Sequence, residues 1–188
     1  MRSRKLLAMA VGLMVALGLC GRAWAFPLDN TDHDLRIRLN INQVCLPCHL
    51  PHAGANADKG ALWNHALSDQ TFTRDGETVT LGRASKLCMG CHDGVSAVGN
   101  FGNITNANDP IVGPNALGTD LSKTHPVGID YPTEHKSSMI DIALLPNHTL
   151  SNGKVECSSC HSPHKPDYGN FLRKSNTDSA LCRTCHNR

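Results

Sequence analysis

Eight cysteines of this 188-residue chain fall into one five-residue pattern used four times: Cys45-Leu46-Pro47-Cys48-His49, Cys88-Met89-Gly90-Cys91-His92, Cys157-Ser158-Ser159-Cys160-His161 and Cys182-Arg183-Thr184-Cys185-His186. The motifs are paired. The first of each pair continues alike, as CHLPH ending at His52 and CHSPH ending at His164, and the second is introduced alike, as SKLC and SALC. This is an internal duplication, with 43 residues between motif starts in the first half and 25 in the second. A chain so constrained must fold around whatever these thiols and imidazoles hold.

The rest of the composition agrees. Only 4% of residues are aromatic, while Gly numbers 16 and Pro 10. So few large apolar groups offset the conformational entropy of folding poorly. Residues 93–156 form a stretch rich in Gly, Pro and Asn that reads as loop. Short helices are expected to lead into the motifs, one over Asp178–Cys185 with Asn176 or Thr177 as its cap, and ETVTL (77–81) reads as a short strand. No run of ten or more residues beyond position 25 has an apolar helical period.

The chain opens with a basic stretch (Arg2, Arg4, Lys5), an apolar run from Leu6 to Leu19 and the small-x-small ending Ala23-Trp24-Ala25. This predicts a secretory signal peptide over 1–25, cleaved before Phe26. The apolar run is shorter than the about 20 residues a spanning helix needs. Cys20 follows Leu19 where a lipoprotein would carry a small residue, so it is expected to leave with the signal. Four of the 18 basic residues and none of the 16 acidic ones lie in that segment, leaving 14 against 16, a net charge of −2. That balance gives no reason to expect a nucleic-acid partner, and no membrane span is expected in the mature chain. The expected layout is a first motif pair over 26–100, a connection over 101–150 and a second pair over 151–188.

Two thiols spaced by two residues can add across the two vinyl groups of one porphyrin, with the next histidine reaching the iron; C-x-x-C-H is the attachment signature of c-type haem. Paired CxxC can also hold structural zinc or act as a redox dithiol, but neither needs a histidine directly after the second cysteine. With His at 11 of 188 residues, four chance occurrences in four motifs have a probability on the order of 1 in 100,000. The motifs therefore predict four covalently bound haem c groups, attached through Cys45, Cys48, Cys88, Cys91, Cys157, Cys160, Cys182 and Cys185. Each porphyrin is a broad apolar body that replaces the missing aromatic core. The chain without haem is expected to be unfolded or molten.

His49, His92, His161 and His186 are the expected proximal iron ligands. His33, His52, His65, His125, His135, His148 and His164 remain. Outside the signal the methionines are Met89, inside a motif, and Met139, so bis-His ligation of most haems is expected, with low potentials. His52 and His164 lie three residues after a proximal ligand, too close to reach the opposite face of the same haem, so each should serve a neighbouring one. His65 in LWNH and His125 in THPVGIDY complete the four leading distal candidates, and His33 in DHDLR is a fifth.

The duplicated halves resemble the doubled-CxxCH multihaem c-type cytochromes, the cytochrome c3-like proteins of metal-reducing bacteria. The stretches that carry this are HDLR (33–36), CLPCHLPHAG (45–54), LWNH (62–65), KLCMGCHDGVSAV (86–98), THPVGIDY (124–131), VECSSCHSPHKPDYGNFLR (155–173) and SALCRTCH (179–186). The resemblance implies a multihaem cytochrome c fold, mostly irregular with a few short α-helices wrapped around four haems and little β structure. It also implies electron transfer through haems stacked in near contact. Some tetrahaem members polymerise into extracellular filaments in which one subunit's histidine ligates a haem of the next, and a spare His33 is compatible with that. The regular spacing of the small compact tetrahaem cytochrome c3 is absent.

The leading functional expectation is an exported electron carrier, periplasmic or at the outer surface, and not an enzyme. A second is an oxidoreductase or oxidoreductase subunit with one open-site haem acting on a nitrogen or sulfur oxyanion; a third is a zinc-stabilised interaction module. Donor and acceptor redox proteins are the expected partners, engaged through small transient contacts and a basic face on the partner, with self-association into a filament as a further expectation.

Overall fold

The computed structural model describes residues 27–50, 62–102 and 109–188. The expected signal segment and His52 lie outside these. Regular structure is sparse: helix α1 (Arg36–Leu39), strands β1 (Phe72–Arg74) and β2 (Glu77–Val79), helix α2 (Arg83–His92), strands β3 (Ile129–Asp130) and β4 (Lys154–Val155), and helix α3 (Cys157–Cys160). Single 3-10 turns cover Gly113–Asn115, Ile142–Leu144, Thr177–Ser179 and Cys182–Thr184. Most of the described chain is loop and turn, with few short helices and little strand.

β1 and β2 form an antiparallel hairpin in which Arg74 faces Glu77. Asp75 (φ 50°) and Gly76 (φ 85°) make the two-residue connection, both in the left-handed region that a type I′ turn requires. The strand expected in ETVTL is therefore β2, and Asp-Gly supplies its partner. Leu121 N–H bonds back to Thr73 O at 2.8 Å, which brings the connecting segment against the hairpin. Phe72, Leu81, Met89 and Leu121 pack there as a small apolar core, with Val79 and Val127 at its edge.

α2 carries the second motif, and its buried residues are Ser85, Met89 and Gly90. This ten-residue helix has no apolar stripe because its inner face meets different things along its length: a carboxylate at Ser85, the apolar core at Met89 and backbone at Gly90. A search for apolar period misses such a helix. The helix expected over Asp178–Cys185 is instead two separate 3-10 turns. Asp178 (φ 51°) and Ser179 (φ 57°) are both left-handed, which breaks the i to i−4 ladder, and Asn176 makes no side-chain cap.

The long connection returns to the second motif pair through β3 and β4, where Ile129 faces Val155 and Asp130 faces Lys154. Tyr131, buried beside this pair, donates its hydroxyl to Ile140 O at 2.7 Å and Cys185 O at 3.1 Å, tying the connection to the fourth motif. α2 packs against α3, so the second and third motifs meet at the seam between the duplicated halves. Among the described residues no helix is long and apolar enough to cross a membrane.

Candidate haem-attachment and axial-ligand sites

Each CxxCH sequence forms one helical turn. The histidine N–H closes onto the first cysteine's carbonyl, at 2.8 Å for His49 to Cys45, 3.0 Å for His161 to Cys157 and 2.9 Å for His186 to Cys182; in the second motif α2 supplies the turn. Spacings of three and four residues put both thiols and the imidazole on one side. None of the eight motif cysteines forms a disulfide. Burial pushes Cys48 up to about 11 and Cys91 up to about 12, while Cys157 is lowered. Among the described residues no three His, Cys, Asp or Glu groups converge as a metal site, which a tetrahedral zinc centre would require.

The ring of a ligating histidine is usually aimed by a hydrogen bond at its other nitrogen. His92 Nδ1 lies 2.8 Å from Asn115 O and His161 Nδ1 lies 2.8 Å from Asn170 O. His125 Nδ1 lies 3.0 Å from Pro126 O. A carbonyl only accepts, so each Nδ1 donates and Nε2 is the nitrogen left to face a metal. The acceptors Asn115 and Asn170 carry no signal in the sequence, because any residue has a carbonyl.

Three imidazole pairs come together, two of them edge-on and one tilted. Ring centres are 6.2 Å apart for His33 and His92, 5.9 Å for His49 and His164, and 6.3 Å for His125 and His186. An imidazole nitrogen sits about 2.0–2.1 Å from a first-row metal with its ring centre about 1.1 Å behind, so two rings on opposite faces of one iron stand about 6.3 Å apart. The pairs fit that span. Burial, followed by the nearby His92, pushes His33 down from the usual imidazole range; burial and then His49 do the same for His164. Both rings are thus held in the neutral form that ligates metal. Phe171 stacks on His33 at 4.2 Å and 18°, anchoring it from the other half of the chain. Around His49, Trp63 stands edge-on at 5.9 Å, and both its Nε1 and Asn64 Oδ1 are buried without a hydrogen-bond partner. Open polar atoms at that place suit a large group with polar edges, and the residues present fit haem.

The other candidates are placed differently. His65 is 1% exposed. Its Nδ1 lies 2.8 Å from Ala66 O, while its Nε2 lies 3.1 Å from Ala97 O and 3.5 Å from Cys91 Sγ, so it stands beside the second motif and not opposite a proximal imidazole. Gly90 permits this, because a Cβ there would lie 2.5 Å from Ala66 O. His135 and His148 are exposed. His161 has no paired imidazole among the described residues.

Residues 148–188 match the family model of the doubled CxxCH motif. The match covers the second motif pair and supports a multihaem c-type cytochrome-like protein, with CxxCH cysteines that bind haem c covalently and a role in electron transport. A search of curated proteins found no match to the chain.

Proposed function

We propose that the chain is an exported tetrahaem c-type cytochrome that carries electrons through mostly bis-His, low-potential haems in anaerobic or extracellular respiration. The observation that supports this most is the spacing of the three imidazole pairs, each joining a CxxCH histidine to a second histidine across the width of one iron. On this reading the axial sets are His92 with His33, His49 with His164, and His186 with His125. His164, from the second half, serves the first motif. By the duplication its counterpart His52 serves the third, completing His161. The five distal candidates then resolve in favour of His33, with His65 left as a buried neighbour of Cys91.

Bound haem supplies the redox-active iron. The paired cysteines would tether it and the paired imidazoles would hold it, and holding the same ligands in both redox states would keep reorganisation small. Filling both faces leaves no position for a substrate, so the chain is read as a carrier and not an enzyme. The motifs also indicate an order. Asn64 N–H bonds Cys48 O at 2.9 Å while its neighbour His65 lies 3.5 Å from Cys91 Sγ, and α2 packs against α3. The first three motifs are therefore neighbours in sequence order, and on this reading electrons pass along the chain in that order between donor and acceptor redox proteins, with self-association extending the path.

The test is the mass and visible spectrum of protein made in a host able to attach haem. Four covalent haems with six-coordinate low-spin bands and no carbon monoxide binding are expected. Pigment that acid extraction removes would overturn the reading, and a high-spin component would favour an open-site oxidoreductase.

A further inference from the structure

Glu156 is 1% exposed and sits at the seam between the duplicated halves, directly before Cys157. Its carboxylate accepts the Gly82 N–H at 2.9 Å, the Ser85 hydroxyl and the Ser159 N–H. Ser85 Oγ in turn accepts the Cys157 N–H at 3.0 Å, which ties α2 to the start of α3. Two of the three donors are backbone amides that cannot accept, so the site is built for the lone pairs of carboxylate oxygens. Gly82 is part of the device: a Cβ there would lie 2.0 Å from Glu156 Oε1.

The donors named above are two backbone amides and one hydroxyl, all neutral groups. A buried charge with neutral partners keeps a long-ranged field, because the surroundings screen it weakly. The field reaches the attachment sulfurs. Glu156 caps α3 directly before Cys157, and its partners Gly82 and Ser85 open α2, which carries Cys88.

Resting on the tetrahaem reading above, we propose that Glu156 is a positioning residue that locks α2 to α3 and holds the haems attached at Cys88 and Cys157 at lower potential than its neutral counterpart would. Reduction adds one electron to a ferric iron, making it ferrous and lowering its charge by one. A fixed negative charge nearby favours the ferric state and opposes that step. The two central haems then form a rise in the path that electrons cross between the halves.

The test is a dithionite potentiometric titration of the haem-loaded protein, with individual haems followed by their NMR methyl signals. Glu156→Gln keeps the shape and removes the charge. It should raise the potentials of the haems at the second and third motifs and leave those at the first and fourth in place. Ser85→Ala keeps the charge and loses one donor; it should lower the melting temperature without raising either potential. Should E156Q fail to accumulate, Gly82→Ala pushes the carboxylate out of its site and should raise the same two potentials. Unchanged potentials, an equal rise at all four haems, or an S85A rise matching that of E156Q would each overturn the proposal. A protein that carries no covalent haem would instead overturn the reading beneath it.

Discussion

His33 and His65 are both imidazoles near the second motif, and their surroundings separate them. His33 faces His92 and is backed by Phe171. Both nitrogens of His65 face backbone carbonyls. His33→Ala should therefore turn one haem high-spin and open it to carbon monoxide, while His65→Ala should leave all haems low-spin and cost on the order of 1–3 kcal/mol of stability through its unsatisfied carbonyls. Optical titration with carbon monoxide and thermal melts separate the two; a high-spin signal from H65A would reverse the assignment. A second residue-scale prediction concerns Arg38, whose guanidinium is paired with Asp109 at 2.6 Å. The hydrogen bond from Arg38 holds the Asp109 carboxyl below its usual range. A lowered folded-state value means the tie is fully present above the unfolded carboxylate value of about 3.9 and is lost as pH falls through the folded one. Asp109→Asn should thus flatten the fall in melting temperature below about pH 4 and change little at neutral pH.

At the scale of elements, α2 is decided by what it touches. Gly90 lets the helix lie against Ala66 O, and Gly90→Ala sets the gain in helix propensity, about 1 kcal/mol, against a backbone clash at 2.5 Å. Backbone cannot swing aside as a side chain does, so the net effect should be a loss of about 1–3 kcal/mol, read by denaturant unfolding of the haem-loaded protein. An unchanged midpoint would mean that His65–Ala66 moves freely. The same helix shows where sequence reading stops. CxxCH was legible because its chemistry is complete within five residues. The strand at Glu77–Val79 was legible from its alternation. Which histidine faces which was not, since His164 reaches His49 only through the return of the whole connection. Glu156 was invisible for the same reason: its donor Gly82 lies 74 residues away, and nothing local distinguishes it from a surface glutamate. The helix expected over Asp178–Cys185 failed on backbone: two consecutive left-handed residues break a turn that propensity alone would continue.

For the whole molecule the decisive quantity is how little side-chain core there is. Phe72, Leu81, Met89 and Leu121 form the buried apolar cluster, and the two small sheets have two strands each. Such pieces are marginal by themselves: isolated hairpins and one-turn helices do not persist in water without something to pack on. Ring contacts between three imidazole pairs add little to hold four motifs in place. The arrangement of motifs is thus stabilised by what it binds, and binding that occurs only in the folded state contributes its free energy to folding. A chain with all eight motif cysteines replaced by alanine, which cannot be tethered to haem, should lose the cooperative thermal transition of the haem-loaded protein. It should also bind a hydrophobic dye and retain little near-UV circular dichroism. The hairpin at 72–79 should be the last element protected from amide exchange, because Phe72 and Leu121 bury it without haem. A sharp calorimetric transition in the cysteine-free chain would show that the connection and hairpin carry the fold, with haem as a passenger.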